Sequence, residues 1–278
     1  METKRLIWCT DIHLDHCDDV PSFHDDVLYM QPDFIVVGGD ISNGVNIVKH
    51  LQGMAKAWDV PIYFVLGNHD YYSDSRFRPM KMAKVKKQVA GAVKNLPNME
   101  WLDQHGVVKL TDKTALVGSG LWCDWRAGFK DKSTVWLNDY ILIDDLVSHP
   151  YKESERQKLM RKVQKLAADH TDQLMKHFQE ALDQGFENII VVTHVPPFHK
   201  GSFYNGVVQD DDWAPHFVCT VAGDQLKAAA QKNPDVKVKV LCGHTHGQGK
   251  ADILPNLHVI NGPAKYRNPT AQPAILVE

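Results

Sequence analysis

The sequence is poor in cysteine, and the few cysteines that it has form no recognisable pattern. There are five, an odd number, scattered as Cys9, Cys17, Cys123, Cys219 and Cys242. They provide neither a disulfide framework nor the CxxC spacing of a structural zinc site. We therefore expect a reducing environment and a fold stabilised by its hydrophobic core, for which 278 residues are ample.

Long apolar runs and an excess of positive charge are also missing. No apolar run is long enough to span a bilayer, and the run at residues 5–10 is too short for the apolar part of a signal peptide. We therefore expect a cytoplasmic protein with no membrane partner. With 31 Lys and Arg against 34 Asp and Glu, no global basic field attracts nucleic acid. A nucleic-acid partner is disfavoured, although a local basic patch is not excluded.

Apolar runs in the first third of the chain predict strands that alternate with helices. Residues 34–38 (FIVVG) and 62–66 (IYFVL) are typical of buried strands, and residues 6–10 form a similar short run. The segments 20–30 and 45–58 between them are expected to be helical. The order β-α-β-α-β implies a parallel sheet with helices packed against it.

The remainder of the chain contains a long amphipathic segment and a second group of strands. Residues 152–184 carry apolar side chains at spacings of three and four, which predicts one long helix. Strands are expected at 188–193 and 236–242. Because there are no repeats and no clear linker, we expect a single domain over residues 1–278, with a helical cap or insertion at about 120–185.

Five short motifs place acids, amides or imidazoles just after predicted strands. They are Asp11-Ile12-His13, Gly39-Asp40, Gly67-Asn68-His69-Asp70, Thr193-His194 and Gly243-His244-Thr245-His246. In an α/β sheet the carboxyl ends of the strands face a common crevice, so these loops can converge. Asp11 and His13 are two residues apart, as are His244 and His246, and in an extended chain such residues point the same way.

The residue types in these motifs suit a metal site. Carboxylate, imidazole and amide ligands without a thiolate favour Mn, Fe, Zn or similar ions over a structural zinc site. Two such ions about 3.5–4 Å apart form a clamp for displacement at phosphorus. A single Asp-x-His or Gly-Asp is more often an ordinary turn, so the prediction depends on the combination of all five motifs.

In this order, the motifs resemble those of the calcineurin-like metallophosphoesterase superfamily: D-x-H, G-D, G-N-H-[D/E], a His after a strand, and G-H-x-H. The resemblance implies an α/β fold, a four-layer αββα sandwich of two mixed β-sheets flanked by helices. It also implies a hydrolase that cleaves a phosphate monoester or diester with a hydroxide held by two metal ions. The ions would be Mn, Fe, Zn or Ni, and the expected partner is a small phosphate-ester substrate.

The resemblance also implies roles for individual residues. The first ion would be bound by Asp11, His13, Asp40 and His246. The second would be bound by Asp40, Asn68, His194 and His244, so that Asp40 bridges both. His69 would be catalytic rather than a ligand, contacting the phosphate and helping to protonate the leaving oxygen.

One motif departs from a branch of the superfamily. In the protein Ser/Thr phosphatases, the second motif continues as G-D-x-x-D-R-G, and its second Asp orients the catalytic His. Here that position is Asn43 and the Arg is absent, so this branch is disfavoured and the group that orients His69 is open. The segments 117–125 and Asn138-Asp139-Tyr140 resemble bacterial or phage-type members whose substrates are undefined.

Two alternative functions remain open at this point. One is a nuclease acting on DNA or RNA phosphodiesters, which would need a basic groove leading to the metals. The other is a non-catalytic metal-binding scaffold. Scaffolds that resemble this superfamily typically lose metal ligands or the catalytic His, whereas every such position here holds a chemically competent residue.

Overall fold

Strands and helices alternate along residues 3–278, the part of the chain that this computed structural model describes. The strands are β1 (Lys4–Cys9), β2 (Phe34–Gly38), β3 (Ile62–Val65), β4 (Met99–Trp101), β5 (Val108–Lys109), β6 (Thr114–Ser119), β7 (Asn188–Thr193), β8 (Phe203–Tyr204), β9 (Val207–Val208), β10 (Lys237–Cys242), β11 (Gly249–Leu254), β12 (Leu257–Asn261) and β13 (Ile275–Val277). The α-helices are α1 (Val20–Tyr29), α2 (Ile47–Ala57), α3 (Met82–Val93), α4 (Leu102–His105), α5 (Asp139–Leu142), α6 (Glu153–Asp183), α7 (Ala214–Phe217) and α8 (Thr220–Lys232).

Two large mixed sheets form the centre of the fold. The first has the strand order β13-β1-β2-β3-β4 and is parallel except for β13, which runs antiparallel to β1. The second has the order β11-β12-β10-β7-β6-β5, with a parallel centre and antiparallel strands β11 and β5 at its edges. Strands β8 and β9 pair separately as a short hairpin.

Side chains on alternate positions of the strands bury both faces of each sheet. In β1, Leu6 and Trp8 belong to an apolar cluster with Val192 of the second sheet. Between them in sequence, Ile7 packs in a second cluster that contains helical residues such as Leu51. Successive residues of a strand point to opposite faces, so one face meets the other sheet and the other meets helices. This arrangement confirms the predicted sandwich of two mixed sheets flanked by helices.

The long helix α6 lies in the outer helical layer on the second sheet, where it contacts β6 and α8. Its residues Leu159, Val163 and Phe178 are buried in the main core. Within the segment 120–185, residues 137–139 line a pocket that is described below. The division of the chain into one domain with a cap stays a prediction. No helix within residues 3–278 is both long and apolar enough to cross a membrane.

Three strands, β8, β9 and β11, were not predicted from the sequence. Strand β11 was missed because polar residues such as Lys250 and Asp252 alternate with its buried position at Ala251. It pairs with β12 at the sheet edge, where one face of a strand can stay in solvent. The two-residue strands β8 and β9 are too short to give a periodic signal.

Candidate metal centre

The five motif loops follow β1, β2, β3, β7 and β10 at the carboxyl ends of those strands, as predicted. Their backbone is unusual, because five side chains of the motifs sit on residues with positive φ. These are Asp11 (52°), His13 (38°), Asp40 (49°), His244 (67°) and His246 (57°). The expectation of an extended chain at these pairs was therefore wrong. Non-glycine residues rarely adopt this left-handed region, and such strain is concentrated at functional sites.

Two glycines let the loops approach one another closely. A Cβ at Gly67 would lie 2.2 Å from Oδ1 of Asp40, and one at Gly243 would lie 2.1 Å from Oδ2 of Asp11. Any other residue at either position would displace a carboxylate of the cluster. Asp70 connects the loops after β2 and β3, since it accepts hydrogen bonds from the backbone N–H groups of Gly67 (2.8 Å) and Ser42 (2.9 Å).

The first group of predicted ligands forms a tight cluster. One ligand atom from each of Asp11, His13, Asp40 and His246 lies within 4.8 Å of the others. The Nε2 atoms of His13 and His246 are 3.2 Å apart, and Nε2 of His246 is 3.4 Å from Oδ1 of Asp11. Four side chains thus point their electron pairs at one small volume, which is the geometry that a cation requires.

The second group lies on the other side of Asp40. Nε2 of His194 is 3.0 Å from Oδ1 of Asn68 and 3.3 Å from Oδ1 of Asp40. The ring centroid of His244 lies 5.0 Å from that of His194. The other oxygen of Asp40, Oδ2, lies 3.8 Å from Nε2 of His13. The two oxygens of this carboxylate are therefore turned toward different groups of ligands.

Backbone carbonyls set the tautomers of two imidazoles. Nδ1 of His194 lies 3.0 Å from the carbonyl oxygen of Gly38, and Nε2 of His244 lies 3.2 Å from that of His216. A carbonyl oxygen only accepts hydrogen bonds, so these nitrogens carry the protons. The other nitrogens, Nε2 of His194 and Nδ1 of His244, are the ones available to a metal ion, which on Nε2 of His194 would take the place of a proton.

The electrostatics of the cluster favour a bound cation. Burial opposes ionisation of Asp11, but the nearby His194 and His246 lower its pKa to about 2. Burial would also lower the pKa of His194, yet the attraction of Asp40 and Asp11 raises it to about 10. The protein alone therefore keeps positive charge on a fully buried imidazole, against the cost of desolvation. Metal ions would supply that positive charge and fit the donor set.

A hydrogen-bonded pair behind the cluster fixes the orientation of Asn68. Its Nδ2 donates to Oδ1 of Asp139 (2.9 Å) and to the hydroxyl of Tyr72 (3.1 Å), and that hydroxyl donates to the same Asp139 oxygen (2.5 Å). With its nitrogen held in this way, Asn68 must present its oxygen toward His194. Asp139 is buried, and burial raises its pKa.

His69 lies beside the cluster, with its ring held by stacking. Its backbone N–H donates to Oδ1 of Asp40 (2.8 Å), and its ring stacks on Tyr72 at a centroid distance of 4.2 Å. Asn43 is engaged elsewhere, because its Nδ2 donates to Oδ2 of Asp15 and its Oδ1 accepts from the backbone N–H of Val45. The ring of His69 is thus held between Tyr72 and His13, which it meets edge-on at 4.6 Å, and not by the residue at the Asn43 position.

Sequence reasoning missed three neighbours of the cluster: Tyr72, Asp139 and Tyr266. The ring of Tyr266 stacks on His13 at 4.4 Å. Tyr72 follows the third motif by two residues, so its proximity could have been suspected. Asp139 is 71 residues from Asn68 in sequence, and nothing local to it indicates a contact with the cluster.

The fold and the cluster together define a class of protein: a two-sheet α/β sandwich with a buried Asp/His cluster at the strand ends that fits a metal site. The family profile of the calcineurin-like phosphoesterases matches residues 4–248. The chain therefore belongs to the calcineurin-like phosphoesterase family. No curated protein sequence matches it.

Several solved structures share the fold at low sequence identity. A phosphopantetheinyl hydrolase from Mycobacterium tuberculosis is 15% identical, with a TM-score of 0.66 over 95% of this chain and 90% of that one. A dimetal phosphatase from Danio rerio is 11% identical, with a TM-score of 0.55 over 93% and 86% of the two chains. A 5'-nucleotidase from Candida albicans is 14% identical, with a TM-score of 0.50 over 95% of this chain and 45% of that one. At such identities, the likeness establishes the fold alone.

Proposed function

We propose that this protein is a metal-dependent phosphoesterase with a centre for two metal ions. One ion would be held by Asp11, His13, Asp40 and His246, and the other by Asp40, Asn68, His194 and His244. Membership of the calcineurin-like phosphoesterase family supports the reaction class. The substrate would be a phosphate ester, and the ions Mn, Fe, Zn or Ni.

The observation that carries this proposal is the position of Asp40. Its Oδ1 lies 3.3 Å from Nε2 of His194, and its Oδ2 lies 3.8 Å from Nε2 of His13. A carboxylate has two oxygens, so each oxygen can bind one of the two proposed ions. Both imidazoles are fully or almost fully buried, and a buried cluster of this kind without a cation would keep charges and lone pairs uncompensated.

When bound, the two ions would neutralise charge on the phosphate oxygens and lower the pKa of an attacking water. The side chains of the protein have separate tasks. Asn68 supplies a neutral oxygen, which limits the negative charge next to an anionic substrate. His69 is partly exposed at the pocket and donates a proton to the leaving oxygen. Residues 137–139 are the part of the segment 120–185 that meets the substrate.

The test is hydrolysis of para-nitrophenyl phosphate and its bis ester by metal-stripped protein that is re-supplied with Mn, Zn, Ni or Mg. We expect turnover that depends on added metal, and the ratio of the two rates distinguishes a monoesterase from a diesterase. Asp40→Asn is the matched negative control. Turnover that survives metal removal, or none with any metal, contradicts the proposal.

The two alternatives predict other results. A nuclease would cleave oligonucleotides, with an affinity that falls steeply with salt because bound counterions are released. A scaffold would bind both ions and hydrolyse neither ester. A salt titration and a metal analysis of the same preparation therefore separate all three functions.

A further inference from the structure

A cavity of about 510 Å³ opens beside the metal centre, and two kinds of residue line it. Polar residues of the proposed site line part of it, among them Asp40, Asn68, His69, His244 and His246. The remaining lining includes seven apolar and aromatic side chains, called the apolar wall below: Leu137, Tyr204, Val207, Val208, Trp213, Phe217 and Tyr266. Because Tyr266 stacks on His13 at 4.4 Å and Phe217 stacks on His244 at 4.3 Å, this wall adjoins the proposed metal centre.

The residues of the apolar wall are unusually exposed. Tyr204, Val207, Val208, Trp213 and Tyr266 have 53%, 65%, 40%, 44% and 44% of their surface accessible. Large apolar side chains that are grouped and exposed, rather than scattered, indicate a surface that binds something. Because this group borders the proposed metal centre, its natural occupant is the organic part of the substrate.

The charges around the cavity limit what that occupant can carry. Among the cavity-lining residues of the described chain there is no Lys or Arg, whereas Asp139 and Asp210 are present. Near its rim, Arg267 is paired with Asp18 at 2.9 Å. Positive charge for a bound phosphate thus comes from the proposed ions and from the imidazoles of the site, all at one end of the bound molecule. A second phosphate or a polynucleotide would meet apolar side chains and carboxylates instead of cations.

The size of the cavity also fits a small organic ligand. Small-molecule sites in proteins typically have volumes of about 300–1,000 Å³ and are lined mostly by apolar side chains. At about 510 Å³, the cavity accommodates one organic group of moderate size beside a phosphate. The hairpin of β8 and β9 supplies Tyr204, Val207 and Val208 to the apolar wall, and the rings of Trp213 and Phe217, which contact each other at 5.7 Å, supply a further part.

We propose that the substrate is an ester of a single phosphate group with an uncharged, largely apolar organic group, aromatic or aliphatic, that packs on the apolar wall. This inference rests on the proposed function, since it takes the metal centre as the site that binds the phosphate. It distinguishes the substrate from sugar phosphates, nucleoside polyphosphates and polynucleotides.

The direct test is binding, which does not depend on turnover. Calorimetric titration of the manganese-loaded protein with 1-naphthylphosphonate and with methylphosphonate compares two non-hydrolysable ligands that differ only in their organic group. Packing one aromatic ring system on the wall should strengthen binding by about 10- to 100-fold. Equal affinity, or no binding of either ligand, overturns the inference.

Variants of the apolar wall sharpen that test. Trp213→Ser and Val208→Ser should each reduce the preference for the naphthyl ligand several-fold and leave methylphosphonate binding unchanged. Val147→Ser is the matched control, because Val147 is similarly exposed (45% against 40% for Val208) but does not line the cavity. An unchanged preference in both wall variants also overturns the inference.

Kinetics separate this inference from the proposed function. We expect kcat/KM for 1-naphthyl phosphate to exceed that for glycerol phosphate by about 10-fold or more, for the same reason of burial. Equal metal-dependent turnover of both would refute the apolar substrate and leave the phosphoesterase intact. Tight naphthylphosphonate binding without hydrolysis of any ester would refute the phosphoesterase, and with it the substrate, and would leave only a binding site for apolar phosphonates.

Discussion

Among the described residues, two buried clusters that combine carboxylate and imidazole can be compared, and their polar groups have different kinds of partner. In the first, at the strand ends, Asp11 and Asp40 face histidine nitrogens such as Nε2 of His194. In the second, Asp103 accepts hydrogen bonds from Nε1 of Trp101 (2.9 Å) and from the hydroxyl of Ser119 (2.8 Å).

The two clusters differ in the groups that surround their carboxylates. Around Asp103, indole, hydroxyl and backbone donors reach both oxygens, so the cluster is complete as a hydrogen-bond network. At the strand ends, the Nε2 atoms of His13 and His246 face each other at 3.2 Å, and Nε2 of His194 faces an amide oxygen. Carboxylate, imidazole and amide groups crowded together in this way form a donor set that fits a metal ion. The Asp103 cluster is structural, and the strand-end cluster is poised to bind metal.

The largest expected effect comes from removing the shared carboxylate. Asp40→Asn should lose both metal ions and reduce hydrolysis to background. Substituting a residue that only hydrogen-bonds to a metal ligand already lowers metal affinity by about 10- to 100-fold, and Asp40 is proposed to bind both ions directly. Metal analysis and para-nitrophenyl phosphate turnover measure this. Metal should raise the Tm of the wild-type protein but not that of the variant. Two tightly bound ions in Asp40→Asn would show that this residue is not the bridge.

Removing the imidazole beside the cluster should separate rate from metal binding. His69→Ala should lower kcat by about 10²- to 10⁴-fold, as expected when a general acid is lost. Metal content should stay at the wild-type level, since the hydrogen bond from His69 to the bridging Asp40 comes from the backbone N–H, which the substitution keeps. Loss of metal from this variant would contradict its assignment as a non-ligand.

A smaller effect is expected from the residue that orients Asn68. Asp139→Asn should lower the affinity for one of the two ions by about 10- to 100-fold and leave the affinity for the other unchanged. An effect of this size is typical when a residue that hydrogen-bonds to a metal ligand is substituted. Titration of the metal-free protein by calorimetry would resolve the two affinities. The matched control is Asp124→Asn, which also alters a fully buried carboxylate, here one that accepts from the backbone N–H of Val221. Equal changes in metal affinity in the two variants would show that Asp139 does not act by orienting Asn68.

A substitution in the Asp103 cluster should change only the free energy of unfolding. Asp103→Asn replaces one accepting oxygen with an NH₂ group that faces a donor, which should cost about 1–3 kcal/mol of unfolding free energy. Metal content and kcat should not change. Denaturant unfolding measures the loss, and a drop in metal affinity instead would show that the two clusters are coupled.

The pH dependence of that loss follows from the Asp103 carboxyl. Burial would raise its pKa, but the contact with His170 and the bond from Ser119 lower it below the usual value. A depressed pKa stabilises the fold above the unfolded value of about 3.9, and this contribution disappears as the pH falls through the folded pKa. The stability difference between the wild type and Asp103→Asn should therefore be full at neutral pH and shrink below about pH 4.

The sequence allowed most of the fold and the members of the metal centre to be predicted. Strand and helix patterns are local, and helices observed at Val20–Tyr29 and Glu153–Asp183 follow the predicted ranges within a few residues. The five motifs follow strands, and parallel strands end at one edge, so convergence of these side chains follows from chain order. The assignment of each as ligand or catalyst stays a prediction.

What only the tertiary structure decided depends on contacts between distant parts of the chain. Asp139 meets Asn68 across 71 residues, and the apolar wall joins Leu137, the β8–β9 hairpin and Tyr266. Such contacts leave no periodicity or spacing in the sequence, because packing rather than local chain geometry brings the residues together. The left-handed backbone at Asp11 and His13 is likewise imposed by the surrounding loops. The sequence by itself thus determined the fold class and the chemistry at the strand ends, whereas the structure alone decided which groups orient that chemistry and what surface faces it.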